Sequence, residues 1–314
     1  MDELLVNMDE SLMKILQEAE KQVGAESIVR TPAAHSVVIP GGRRLFVRRW
    51  EGEGRPLVLL HGLLDSSEGW ACLAERTERP CLAIDLPGFG GSDLPEQPRI
   101  DSYARHVAAG LHRLGIESCT LVGHSLGGAV AARVAETSDV VDSLALIAPA
   151  GFGRIRLAEA LSLPFVVDVA TAALPLALIN PLTVTAAYST FVSHRRLPER
   201  DLIDRLRQRA SRTPRAVRAA TQAIAHIGRS DECYGRRVAD FDGPVAALWG
   251  EHDALVPLAH ARNVRRAFPQ AHVEVWPGMG HHPQREQPDR LASFIETHAA
   301  ACDGAAKRSR RRAA

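Results

Sequence analysis

Cys119-Thr120-Leu121-Val122-Gly123-His124-Ser125-Leu126-Gly127-Gly128-Ala129-Val130-Ala131-Ala132 is the stretch from which the rest of the chain is read. Cys119 to Val122 is an apolar run without alternation, as a buried strand would be, and the small residues from Leu126 onward open a helix. Gly123-His124-Ser125-Leu126-Gly127 is therefore a sharp turn between strand and helix. Ser125 at its apex is expected in a strained conformation that lifts Oγ above the sheet, with flanking glycines that admit close backbone approach. The bare G-x-S-x-G pattern has little specificity; its place between strand and helix gives it weight.

Outward from this turn, short β-type runs alternate with helical stretches: SVVIP, RLFVRRW, PLVLLHG, PCLAIDLPG, SLALIAPA, PVAALWG and HVEVWPG. That rhythm predicts an α/β fold with a mostly parallel central sheet flanked by helices. Helices are expected over Ser67 to Arg76, Asp101 to Leu114, Leu126 to Glu136, Leu258 to Ala267 and Pro288 to His298. Between LALIAPA and PVAALWG the chain has proline-punctuated helical segments and no clear strand. A structureless loop that long would be improbable, so residues 153–240 are read as an inserted helical cap. The expected organisation is an N-terminal amphipathic helical extension (1–30), a core formed by 31–152 with 241–302, the cap, and a basic disordered tail (303–314).

The chain of 314 residues with 46% apolar content can fill a sizeable core. Its 38 Lys and Arg nearly cancel 37 Asp and Glu, leaving a net charge of +1 and no whole-protein argument for nucleic-acid binding. The cysteines at 72, 81, 119, 233 and 302 show no paired metal-ligand spacing, which suits reduced thiols in a cytoplasm. The acidic start MDELLVNMDE lacks the basic and apolar regions of a secretory signal. Leu161 to Leu182 approaches spanning length, but Asp168, Asn180 and three prolines interrupt it, so no stable membrane span is expected.

A serine hydroxyl needs a base to become a nucleophile, and the base needs an orienting acid. Asp253 lies in WGEHDALVP just after the strand run PVAALWG, and His281 lies in WPGMGHHPQREQP just after HVEVW. Histidine titrates near neutrality and can take the serine proton and return it to a leaving group. His282 is the alternative base, and the glycine turn leading directly into His281 favours His281. The developing oxyanion needs donors; the main-chain N–H groups of Leu126 and of Leu63, in the turn His61-Gly62-Leu63-Leu64, are the candidates.

These pieces, HGLLDSSEGW, DLPGFGGSD, VGHSLGGA, WGEHDALVP and PGMGHHPQREQP, are similar in order and spacing to those of the α/β-hydrolase superfamily, in the branch with a helical cap. The resemblance covers about residues 50 to 300. It implies hydrolysis through an acyl-serine intermediate with no metal or organic cofactor, and a cavity-shaping, non-catalytic role for the turn at Asp85. Haloalkane dehalogenases and epoxide hydrolases resemble the chain overall but carry aspartate where Ser125 stands. Carbon–carbon bond hydrolases of aromatic meta-cleavage also use serine, often preceded by asparagine; His124 tilts the reading towards esterase or lipase-like chemistry.

The first half of the cap, LSLPFVVDVATAALPLALINPL, is strongly apolar and favours a small or medium apolar acyl substrate. The second half carries nine arginines from Arg195 to Arg218 with three acids between them, a pattern that most simply forms a solvated face. Three further readings share the residues: carbon–carbon bond hydrolysis, acyl transfer to an acceptor other than water, and a low-turnover ligand-binding receptor. The sequence leaves the oligomeric state open.

Overall fold

The computed structural model describes residues 30–161, 163, 165–166, 168–169, 172–173, 177, 180–193, 203–204, 222–223, 225–226 and 239–313. Pro32–Ala314 form one compact unit. The expected N-terminal amphipathic helix and much of the expected cap, including the arginine-rich run, lie outside the described residues.

Every β-type run of the sequence becomes a strand: β1 (Ala33–Val38), β2 (Arg44–Trp50), β3 (Leu57–Leu60), β4 (Cys81–Ile84), β5 (Cys119–His124), β6 (Val141–Ile147), β7 (Val245–Gly250) and β8 (His272–Trp276). They form a single sheet in the order β1-β2-β4-β3-β5-β6-β7-β8. β1 and β2 pair antiparallel, as do β2 and β4, and all other neighbours run parallel. Parallel strands need crossover connections, which cover both faces of the sheet with helices. Accordingly every residue of β3, β4, β5 and β7 is buried, whereas the edge strand β8 is largely exposed or half-buried.

The pleat sends successive residues of one strand into two separate cores. Val58 and Leu60 of β3 join Leu121, Leu146 and Trp249 under α2 (Ile100–Arg113), α3 (Leu126–Thr137) and α6 (His260–Ala267). Leu57 and Leu59 join Val122, Ile147 and Leu248 under α1 (Ala71–Ala74) and α8 (Pro288–Ala313). Each fully buried Leu or Val contributes about 1.5–3 kcal/mol, so two continuous apolar layers lock the sheet. The helix expected over Ser67 to Arg76 splits into a 3₁₀ turn, Ser67–Trp70, and the short α1.

The backbone of α8 continues as helix through Ala313, past residue 303, where the basic tail is expected to start. Alanines at 299–301 favour helix. Asp303 also anchors this part of the helix to Arg79 at 2.7 Å and Arg55 at 3.2 Å.

Between β6 and β7 the described segments include α4 (Arg156–Leu161) and α5 (Pro181–Ala187), followed by a π turn over Tyr188–Val192. Asn180 caps α5, its side chain accepting from the N–H of Leu182 at 2.9 Å, and Pro181 fits the first turn, where no N–H is needed.

Candidate active site

Ser125 stands between β5 and α3 with φ 53° and ψ −116°, in the left-handed half of conformational space that side chains avoid. Such geometry costs on the order of 1–3 kcal/mol and persists because the surroundings over-determine it. The Ser125 N–H donates to Ile147 O at 2.9 Å, and its carbonyl accepts from Ala150 at 2.9 Å and Gly128 at 3.0 Å. Glycine at 123 is required because a Cβ there would come within 2.7 Å of the Gly128 Cα.

Asp253 and His281 leave the C-terminal ends of β7 and β8, the edge at which open α/β sheets place ligands. Their loops are stitched together: His252 N donates to Met279 O at 2.8 Å and Glu251 N to Trp276 O at 3.0 Å. His281 Nδ1 lies 2.7 Å from Asp253 Oδ2, with both side chains buried. The other carboxyl oxygen of Asp253 accepts from the N–H groups of Leu255 at 2.9 Å and Val256 at 2.8 Å. With both oxygens engaged the carboxyl cannot rotate, and a proton on Nδ1 leaves Nε2 as the acceptor. Among the described residues the His282 ring has no carboxylate partner; it stacks on His281 at 5.6 Å and faces Tyr188 at 5.7 Å.

The turn after β3 lies directly against the serine. A Cβ on Gly62 would stand 2.8 Å from His124 Nδ1 and 3.2 Å from the Ser125 Cβ, so only glycine lets the chain pass there. Among the described residues the N–H groups of Leu63 and Leu126 donate no hydrogen bond. His61 braces this turn, its Nδ1 2.7 Å from Gly62 O and its Nε2 accepting from Leu86 N at 2.9 Å. The carboxylate of Asp85 is occupied by turns, accepting from Ser67 N at 2.6 Å and Gly91 N at 2.7 Å. Among the described residues no group of three or more His, Cys, Asp or Glu side chains is arranged to hold a metal.

Three supporting residues escaped the sequence reading. Glu286 holds the histidine loop with both carboxylate oxygens, accepting from Gly280 N at 3.0 Å and His282 N at 3.1 Å. Val192 accepts from His281 N at 2.6 Å. His124 Nε2 lies 2.8 Å from His281 O, and its Nδ1 lies 3.3 Å from Gln284 Nε2. Burial, then the neighbouring His281, pushes the His124 pKa down to about 3. Burial also holds His282 well below the usual histidine range, with His124, His281 and Arg285 adding to the effect. Only Glu286 had a local sequence signal, since a carboxylate four residues past a histidine in a tight loop can reach back to its N–H groups.

The profile of the α/β hydrolase fold matches residues 55–288. The chain belongs to this family. An uncharacterized protein of Mycobacterium tuberculosis is 31% identical over 289 residues, which cover 85% of this chain and 81% of that protein. The dihydrolipoyllysine-residue acetyltransferase component of the acetoin cleaving system of Pseudomonas putida is 33% identical over 267 residues, covering 82% of this chain and 68% of that protein. A thermophilic esterase from Thermogutta terrifontis superposes with a TM-score of 0.69 at 24% identity, over 86% of this chain and 99% of the esterase. Further similar proteins include lipases and meta-cleavage hydrolases. Family membership and these neighbours support an enzyme of the hydrolase kind, and among the described residues no helix is long and apolar enough to cross a membrane.

Proposed function

We propose that the protein is a carboxylic-ester hydrolase acting on small or medium apolar acyl substrates through an acyl-serine intermediate. The observation that carries this reading is the His281–Asp253 hydrogen bond between the loops that follow the adjacent strands β7 and β8, at the same edge of the sheet as a serine held at positive φ. Ser125 Oγ attacks the ester carbonyl as His281 Nε2 takes its proton, and Asp253 stabilises the imidazolium that forms. The N–H groups of Leu63 and Leu126 receive the oxyanion, each worth on the order of 3 kcal/mol. His281 then protonates the leaving alcohol, and water repeats the sequence to release the acid. Residues 153–240 serve as the cap that selects the acyl group. Large exposed apolar residues in its first half, Phe165 at 79% and Leu182 at 79%, support an apolar substrate. We place the protein in the cytoplasm, where thiols such as Cys72, Cys81, Cys119 and Cys302, which form no disulfide, would stay reduced.

The test is hydrolysis of p-nitrophenyl esters of increasing acyl length by wild type and Ser125→Ala. A burst of p-nitrophenol and a loss of about 10⁴-fold or more in the variant are expected. Unchanged turnover in Ser125→Ala would sink the mechanism. The similarity to meta-cleavage hydrolases favours carbon–carbon bond cleavage as the second reading: a folded protein inert on every ester but active on a vinylogous diketone acid would establish it. The acetyltransferase relative motivates adding alcohols and thiols as acceptors, where transfer products would replace hydrolysis. Slow single turnover with tight retention of product would mark a receptor.

A further inference from the structure

His281 follows Gly278-Met279-Gly280, a turn in which Gly278 takes φ 68°, so the loop's own sequence does little to fix the peptide that carries the imidazole. Asp253 holds the ring, but a ring swings with its backbone. That backbone is pinned from two sides: its N–H donates to Val192 O at 2.6 Å, and its carbonyl lies 2.8 Å from His124 Nε2. The second tie comes from the residue that precedes the proposed nucleophile.

The partners of His124 define its tautomer. A carbonyl can only accept, so Nε2 carries the proton, and Nδ1 accepts from the Gln284 amide at 3.3 Å. The ring is 1% exposed and lies 4.7 Å from the ring of His281, between the elbow and the histidine loop. A ring with both nitrogens engaged and no access to water is a fixed strut. We propose that His124 is a positioning residue for His281: its Nε2–H holds the His281 carbonyl and so couples the aim of the base to the elbow that carries Ser125. The inference rests on the reading of His281 as the base. Because His124 neither touches substrate nor moves a proton, its loss should affect turnover more than binding.

The experiment compares His124→Gln, His124→Asn and His124→Leu in the full chain. A glutamine amide reaches the Nε2 position and can donate to the His281 carbonyl. The shorter asparagine amide stops near the Nδ1 position, and leucine offers no donor. Ester hydrolysis should fall about 10- to 100-fold in kcat for the Asn and Leu variants, as misplacement by a fraction of an ångström to 1 Å does, with KM nearly unchanged. Gln should recover most of the loss. The low-field proton signal of the His281–Asp253 hydrogen bond needs no substrate; it should persist in Gln and weaken in Asn and Leu. Equal kcat in Gln and Asn, or a wild-type signal and kcat in Asn or Leu, would overturn the inference, and Asn keeps the test open if Leu fails to fold. Ser125→Ala and His281→Ala run in parallel: retained activity there sinks the base assignment, whereas loss there with full kcat in Asn sinks the role of His124 alone.

Discussion

At the strand ends the loops are bonded to one another, Ser125 to Ile147, His252 to Met279, His124 to His281, and the His124 and His281 rings are buried. Between β6 and β7 Val184 and Tyr188 are buried, but large apolar residues stay exposed, Leu163 at 58%, Phe165 at 79% and Leu182 at 79%. A described tie between the two regions is the hydrogen bond from His281 N to Val192 O. The contrast separates two demands. Proposed chemistry needs groups fixed to a fraction of an ångström, which the sheet supplies, while selecting an acyl group needs apolar surface that the core has not consumed.

The largest expected effect tests that contrast directly. Leu60→Ala, at a fully buried position of β3, should lower the free energy of unfolding by about 2–5 kcal/mol. Phe165→Ala, despite removing a larger side chain, should change it by no more than about 0.5 kcal/mol. Denaturant unfolding of both variants measures the difference. Comparable losses would mean that the segment packs like the core, and the contrast would collapse.

The same contrast explains what the sequence made legible. The inner strands were readable because a strand buried on both faces is apolar at nearly every residue, as in LVLL of β3 and VAALW of β7. β1 begins earlier than its apolar run because Ala33 and Ala34 pair with Arg49 and Arg48, a constraint imposed by the partner strand. Ser125, Asp253 and His281, the residues of the proposed triad, were each singled out from a local signal, a turn or a strand end. His124 and Val192 could not be found that way: one is separated from His281 by 157 positions, and the other acts through its carbonyl, which every residue has. Legibility failed wherever a tie belongs to the backbone or to a distant partner.

A smaller effect follows from the histidines packed at the strand ends. Burial lowers the pKa of His124 to about 3 and depresses those of His282 and His260. Asp65 and Asp253 oppose the shift of His124, and His281 adds to it. The folded state therefore disfavours the protonated form of these rings, while the unfolded chain takes up protons below about pH 6.5. Their contribution to stability is complete above that pH and is lost as pH falls, for His124 down to about 3, at on the order of 1 kcal/mol per pH unit. Unfolding free energies measured from pH 7 to pH 4 should show this slope, and His124→Gln should reduce it by about one proton. Phe165→Ala should leave the slope unchanged, and a slope unaltered by His124→Gln would show that His124 is not held neutral by the strand-end packing.

The smallest effect concerns the strain at Ser125. Glycine adopts φ 53°, ψ −116° without a Cβ clash, so Ser125→Gly should remove about 1–3 kcal/mol of strain. The unfolded chain gains about 0.5–1 kcal/mol of entropy from the added glycine, which leaves a net stabilisation of about 1 kcal/mol. Ser125→Ala keeps the Cβ and should show no such gain, although both variants lose the hydroxyl on which proposed turnover depends. The control lies in the other region: Ala187, at φ −64° and ψ −43°, is relaxed helix, and Ala187→Gly should cost about 1 kcal/mol. Opposite signs for the two glycine substitutions in thermal unfolding would place the stored strain at the elbow. Destabilisation by Ser125→Gly would instead mean that the serine side chain contributes more to holding the turn than its backbone conformation costs, and the rigidity of the strand ends would then have to be credited to side-chain contacts.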